Sequence, residues 1–378
     1  MSNLFTNKKL GILGGGQLGR MLIQSAIDFN MSVAVLDPDA AAPCSFMADF
    51  TVGKLTDYET VLNFGKRCDI ITIEIENVNT QALKELVKMG KQVYPQPEVI
   101  ELIQDKRVQK KFYEEYRIPT AEFILVDSKV EVIKQKDFLP AVNKLGKEGY
   151  DGRGVQLLRT EKDLDKAFDA PGLLEKLIDF EKEIAVIVAR NENGDIVSYP
   201  AVEMVFHPEK NLVEYLFAPA SLPGNVLQEA DRIARKVIKS LNMTGLLAVE
   251  MFVTKDGKVL VNEVAPRPHN SGHQSIEANI TSQYEQHLRA IYNLPLGACN
   301  TVLPSAMVNL LGEEGHEGVA RYQGFEEIAK LPGVHVHLYG KHLTKPFRKM
   351  GHVTIVDINV ERLKQTTQLV KQTLKVIA

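Results

Sequence analysis

The stretch from Val249 to His273, VEMFVTKDGKVLVNEVAPRPHNSGH, constrains the fold more than any other part of the chain. Two apolar, β-branched runs flank Asp256-Gly257, a strong short-range hairpin signal. If Asp256 and Gly257 form a two-residue loop, Lys255 faces Lys258 and, further out, Glu250 faces Glu263. Facing residues of an antiparallel ladder lie roughly 5 Å apart at Cβ, and like charges so placed destabilise the sheet. Val249, Met251, Val261 and Val264 predict that the ladder is largely buried. The paired carboxylates therefore call for a divalent cation; the alternative is an exposed pair without consequence. A three-residue loop would shift the register by one and remove the pairing.

The chain has 378 residues, more than one ordinary core accommodates, so two or three domains are expected. Apolar residues at 44% and charged residues at 25% are ordinary for a globular protein. A net charge of −3 offers no electrostatic case for nucleic acid or an anionic membrane as partner. Cys44, Cys68 and Cys299 have no metal-ligand or disulfide spacing and read as core residues in a reducing compartment. With no signal-peptide pattern and no membrane-length apolar run, a cytoplasmic location is expected.

At the N-terminal end the strand Lys9 to Leu13 runs into Gly14-Gly15-Gly16-Gln17-Leu18-Gly19 and a helix. The strand Ser32 to Leu36 ends at Asp37. This is the form of a dinucleotide fingerprint, and it makes a hydride-transfer enzyme the first hypothesis. Glycines at such a turn also let any anion approach a helix start. Further units follow: a helix opening at a Thr56-x-x-Glu59 capping box, a strand at 69–73 leading to Glu74-Ile75-Glu76, a helix at 81–88 and a strand at 92–94. Alternation of strands and helices predicts a parallel sheet with its crevice at the strand C-terminal ends, where Gln17 and Glu74 fall.

One helical stretch is expected from Pro97 to Tyr116. The strand from Pro140 to Lys144 then leads to Lys147-Glu148-Gly149-Tyr150-Asp151-Gly152-Arg153-Gly154, a loop able to offer backbone N–H groups to phosphates, or else a polar hairpin tip. It is not a Walker loop, because no Gly-Lys-Ser/Thr follows. Antiparallel strands continue through Leu173 to Ile178 and Ile184 to Ala189, and a helix spans 226–241.

Together these motifs resemble the ATP-grasp superfamily and, within it, the N5-carboxyaminoimidazole ribonucleotide synthetase family. GGGQLGRM at 14–21, EGYDGRG at 148–154 and NEVAPRPHNSGH at 262–273 carry the resemblance. Asn143 and Val155 stand where the family usually has a branched aliphatic residue and a glutamine. The implied architecture is α/β and α+β multi-domain: an N-terminal Rossmann-like parallel sheet domain at 1–103, a central ATP-grasp fold at 104–298 with a lid at about 120–195, and a small C-terminal α/β domain at 299–378. The resemblance implies ATP and Mg²⁺ as cofactors, aminoimidazole ribonucleotide and bicarbonate as substrates, and a homodimer.

By the same resemblance, Lys106 and Lys144 contact ATP phosphates, and the loop Gly149, Tyr150, Asp151, Gly152, Arg153, Gly154 covers them. Glu175, with Lys176, Leu177 and Ile178, holds adenine; Glu183 binds the ribose, and His207 is a further ATP contact. Glu250 and Glu263 carry Mg²⁺ with Asn262 beside them. Gln17, Leu18, Glu74, Tyr150, Asp151, Arg153, His273, Lys345 and Arg348 serve the ribotide. Arg267 is placed to hold bicarbonate or carboxyphosphate through its planar fork, and either Asp151 or His273 takes the amine proton. His269 reads as structural. The rival within the fold is a formate-dependent glycinamide ribonucleotide transformylase, whose motif would carry an acidic residue after the histidine; a non-catalytic binding protein would need no paired carboxylates. In the last eighty residues, strands at 306–310, 334–339 and 352–356, a basic turn holding Lys341, Lys345, Arg348 and Lys349, and a closing helix at 360–377 are expected.

Overall fold

The computed structural model describes residues 8–147, 149, 154–206 and 212–378. Its first unit is a five-stranded, wholly parallel sheet. The strands Lys9–Leu13, Ser32–Asp37, Ile70–Ile73 and Gln92–Val93 are those expected. Asp49–Val52 adds an edge strand too short and too polar to be read from its pattern. The helix Tyr58–Lys66 is capped by Asp57, whose carboxylate accepts from the Thr60 amide, and not by Thr56 as the capping-box pattern predicted. The acid one residue nearer the helix takes the orphan N–H groups.

The single helix expected from Pro97 to Tyr116 is two helices, Pro97–Gln104 and Lys106–Glu115. Asp105 leaves helical geometry (φ −119°, ψ 106°) and caps the second, accepting from the Arg107 amide at 2.9 Å. The break puts Lys106 at the start of a helix, its backbone N–H donating to Gly146 O at 2.8 Å.

A four-stranded antiparallel sheet, Phe123–Val126, Gly172–Lys176, Ala141–Leu145 and Val155–Leu158 in spatial order, occupies the segment where a lid was expected. It ends before 195, since the next strand, Phe180–Arg190, belongs to the large sheet. Among the described residues that sheet has nine strands: it runs from Val259–Ala265 through Gly245–Thr254, Phe180–Arg190, Val202–Phe206 and Val213–Ala218 into Ser305–Leu311, Lys349–Val356 and Val334–Leu338, with Ile196–Ser198 paired to Phe180–Arg190 off that path. The C-terminal strands thus extend the central sheet across the boundary expected at 298/299.

The main core packs the helix Gly224–Ser240 against this sheet through Ala230, Ile233, Ala234, Val237 and Ile238, all fully buried. Each such side chain contributes roughly 1.5–3 kcal/mol of apolar transfer for the larger aliphatics. A separate cluster around Leu310, Val353, Ile355 and Val370 stabilises the C-terminal end. The last helix stops at Thr373, short of the expected 377, because Lys375–Ile377 pairs as a strand with Arg321–Gln323.

Candidate active site

The hairpin places Glu250 opposite Glu263, although not by the expected turn. Val253 pairs with Val259 and Met251 with Val261, so the loop holds three residues, Lys255 to Gly257. Thr254 and Lys258 close it, and Gly257 takes a left-handed conformation at φ 78°. That loop would have abolished the glutamate pairing, but the register shifts again between Met251 and Glu250. Asn262 is the extra residue of a β-bulge, and the bulge restores the pair. It has a second effect. Consecutive strand residues normally face opposite ways, yet Asn262 Oδ1 accepts from Lys144 Nζ at 3.1 Å while Glu263 Oε2 lies 3.4 Å from Lys106 Nζ.

Two ionised carboxylates facing each other across a ladder repel. Burial, then Glu263 and Glu183, push the Glu250 carboxyl up to about 8. His269 Nε2 stands 3.4 Å from Glu250 Oε1, and its Nδ1 meets Ser271 Oγ at 2.9 Å. Burial holds His269 neutral. The donor set is hard and anionic, the kind Mg²⁺ takes one or two of. No group of three or more metal-ligating side chains occurs among the described residues.

Beside it lies a buried ionic cluster. The Glu175 carboxylate bonds both Lys110 and Lys144, and Lys110 also bonds Thr120 Oγ1. Burial would raise the Glu175 carboxyl, but Lys144 and then Lys110 outweigh it and bring it to about 2. Lys110 was absent from the expected site. Asn143 turns the other way, bonding Leu173 O at 3.1 Å and the Phe168 amide at 2.9 Å, which explains a polar residue there. Burial pushes Glu183 up to about 7, with Lys144 opposing. Lys176 and Leu177 donate their amides to Glu122 O and Pro140 O, and the Lys176 ammonium bonds Phe138 O at 3.0 Å. Those groups are engaged internally; Ile178 is half-buried. Gly149 is half-buried, and Gly154 accepts from the Leu145 amide at φ 71°. Tyr150, Asp151, Gly152, Arg153 and His207 lie outside the described residues.

The glycine turn is filled from within. Glu74 Oε1 accepts from the Gly16 amide at 2.6 Å and Oε2 from the Gly19 amide at 2.5 Å. Asp37 takes the Gly15 amide at 2.7 Å. A Cβ on Gly16 would lie 2.4 Å from Glu74 Oε1, so the glycine admits this carboxylate. The helix-start N–H groups that a dinucleotide pyrophosphate would use are thus taken, which overturns the hydride-transfer reading. Leu18 is 9% exposed and packs in the core with Met21 and Leu22, so its side chain is not a ligand.

Gln17 Oε1 accepts from Lys341 Nζ at 3.0 Å, joining the turn to the C-terminal sheet. The expected site overlooked Lys341, whose signal was its place in the basic turn. Lys345 is exposed, and Arg348 donates to Leu343 O at 2.8 Å. His273 is buried, with Nδ1 at 2.9 Å from Tyr284 OH and its ring 4.6 Å from that of His352. Burial depresses it to about 3, with Lys349 and His337 adding to the effect, so it is neutral at physiological pH. His337 stacks on His352 at 4.4 Å and meets Glu277 Oε1 at 2.7 Å, a satisfied histidine. Arg267 Nε lies 2.8 Å from Glu76 Oε1, a bridge from the hairpin strand to the first unit that no local pattern announces.

Three family matches divide the chain: a ribonucleotide synthetase preATP-grasp domain at residues 7–104, an ATP-grasp domain at 111–284, and a phosphoribosylaminoimidazole carboxylase C-terminal domain at 305–366. The N5-carboxyaminoimidazole ribonucleotide synthase of Synechococcus elongatus is 39% identical, with 92% of this chain and 89% of that protein covered. The phosphoribosylaminoimidazole carboxylase of Candida glabrata is 38% identical over 96% of this chain, which spans 66% of that longer protein. The N5-carboxyaminoimidazole ribonucleotide synthetase of Thermotoga maritima superposes with a TM-score of 0.91 at 42% identity, covering 98% and 99% of the two chains. The Aspergillus clavatus synthase in complex with ADP and 5-aminoimidazole ribonucleotide gives 0.87 at 33% identity, covering 97% and 98%.

Proposed function

The chain belongs to the N5-carboxyaminoimidazole ribonucleotide synthetase family, and from that premise we propose that it carboxylates the exocyclic amine of 5-aminoimidazole ribonucleotide with ATP and bicarbonate. ADP and phosphate are the other products. The observation that carries this reading is the bulged hairpin, which sets Glu250 opposite Glu263 beside Lys106, Lys144 and Asn262.

In this reading Glu250 and Glu263 hold Mg²⁺, which when bound neutralises their mutual repulsion and the charge of the ATP phosphates. Lys106 and Lys144 exchange internal acceptors, Glu263 and Glu175, for phosphate oxygens. Lys110 keeps Glu175 compensated when Lys144 is drawn away, because a buried carboxylate stripped of both partners would cost several kcal/mol. Phosphoryl transfer of this type relies on positioning and charge neutralisation. A bicarbonate oxygen attacks the γ-phosphorus and ADP leaves, giving carboxyphosphate; loss of phosphate liberates CO₂ for attack by the amine. Arg267 offers bicarbonate two parallel donors. His273, neutral and engaged at Nδ1, orients the ribotide, and Asp151 takes the amine proton. Gln17 and the basic turn of Lys341, Lys345 and Arg348 meet the ribotide. A homodimer and a cytoplasmic setting rest on the family; no helix among the described residues is long and apolar enough to cross a membrane.

The test is ADP release with each component omitted in turn. Release should require Mg²⁺, bicarbonate and aminoimidazole ribonucleotide together. Efficient release with formate and glycinamide ribonucleotide instead would reassign the chain to the transformylase.

A further inference from the structure

The bridge between Glu76 and Arg267 crosses from one unit to another at the point where the chemistry needs a fixed guanidinium. Arg267 follows the strand Val259–Ala265, and Glu76 lies just beyond the strand Ile70–Ile73 of the first sheet. Their side chains are only 19% and 24% exposed, so water screens the pair weakly. Glu76 is itself anchored: its carbonyl accepts from Gln104 Nε2 at 2.7 Å and from the Val78 amide at 2.9 Å. On the other side of the guanidinium, Nη1 donates to Pro268 O at 3.1 Å. A guanidinium paired at close range with a little-exposed carboxylate and donating from Nη1 to its own chain is confined in orientation, and bidentate capture of a small planar anion depends on that orientation.

We infer that Glu76 is a positioning residue for bicarbonate capture, holding the Arg267 fork in the orientation that meets the anion. This inference rests on the reading of Arg267 as the bicarbonate-binding group. The first sheet then contributes to the carboxylation site through Glu76. Glu74, two residues earlier, is spent on the Gly16 and Gly19 amides, so the two acids at this strand end have separate tasks.

The experiment is steady-state kinetics of the full chain carrying Glu76→Gln, with Arg267→Lys as the companion variant and thermal midpoints recorded for both. Glu76→Gln should raise the bicarbonate KM about tenfold or more and leave the ATP KM within about twofold, because a weakly screened ion pair is lost on one side of the site only. It should also form more ADP than carboxylated product. A purely structural bridge would instead lower the midpoint and spare that split. A wild-type bicarbonate KM in Glu76→Gln beside a raised one in Arg267→Lys overturns the role of Glu76. A wild-type value in both overturns the assignment of Arg267 itself. Should Glu76→Gln not fold, Glu76→Asp, which withdraws the charge without removing it, should show the same split, and a wild-type bicarbonate KM there overturns the inference.

Discussion

The glycine turn at 14–19 and the hairpin at 245–265 both read as ligand sites, yet they are physically opposite. The turn presents donors, and the protein supplies their acceptors: Glu74 and Asp37 take the Gly15, Gly16 and Gly19 amides. The hairpin presents acceptors that repel one another, with a carboxyl pushed up to about 8. A motif whose polar groups are satisfied internally is architecture. One that sets two carboxyl groups face to face, with one of them held protonated, has room for a further cation.

Four outcomes would break or sharpen that contrast. The largest effect belongs to the hairpin. Glu263→Gln should cut Mg²⁺-dependent turnover by about 100-fold or more with the thermal midpoint near wild type, since charge-neutralising groups act at the reacting phosphates. Normal turnover would remove the metal role. In the turn, Glu74→Ala should cost about 2–3 kcal/mol in urea unfolding, through two amides left without an acceptor; a loss under a few tenths would mean those amides are free to take a ligand.

The third outcome concerns pH. Between the ordinary carboxyl value of 4.5 and about 8, folded Glu250 keeps a proton that the unfolded chain has lost. Its contribution to metal-free stability therefore falls as pH rises through that window. Mg²⁺ needs the ionised form, so the rise in melting temperature it gives should grow by a few degrees from pH 6 to about 8, and Glu250→Gln should abolish the dependence. A pH-independent shift would break the link. The smallest effect tests the loop: Gly257→Ala should cost about 1 kcal/mol through its left-handed backbone, because an added Cβ would meet only Val226 at 3.8 Å. No cost would contradict the three-residue turn.

Strands were legible nearly to the residue wherever apolar runs are bounded by turn chemistry, as at Lys9–Leu13 and Val155–Leu158. Breaks depending on one polar side chain were not: Asp57 displaced Thr56 as a cap, and Asp105 divided a helix whose periodicity runs on. The glutamate pairing was anticipated through two errors that cancel, a loop one residue longer than expected and a bulge that compensates. Composition marks neither. Least legible were ion pairs between distant segments: Glu76 with Arg267, Lys110 with Glu175, and the Lys341–Gln17 bond. Their partners are set by how the sheets pack, and periodicity within a window holds no record of that.

The nine-stranded sheet has a practical consequence for dissecting the molecule. Its strand Val213–Ala218 pairs with Ser305–Leu311 on the far side of the expected 298/299 boundary. A fragment cut there would expose a row of unpaired amides and carbonyls on an apolar strand, a template for self-association. It would also take Lys341 away from Gln17. Expressed alone, the central nucleotide-binding region should collect in inclusion bodies, and supplying residues 299–378 as a separate chain should recover soluble material only where the two halves zip along that one edge.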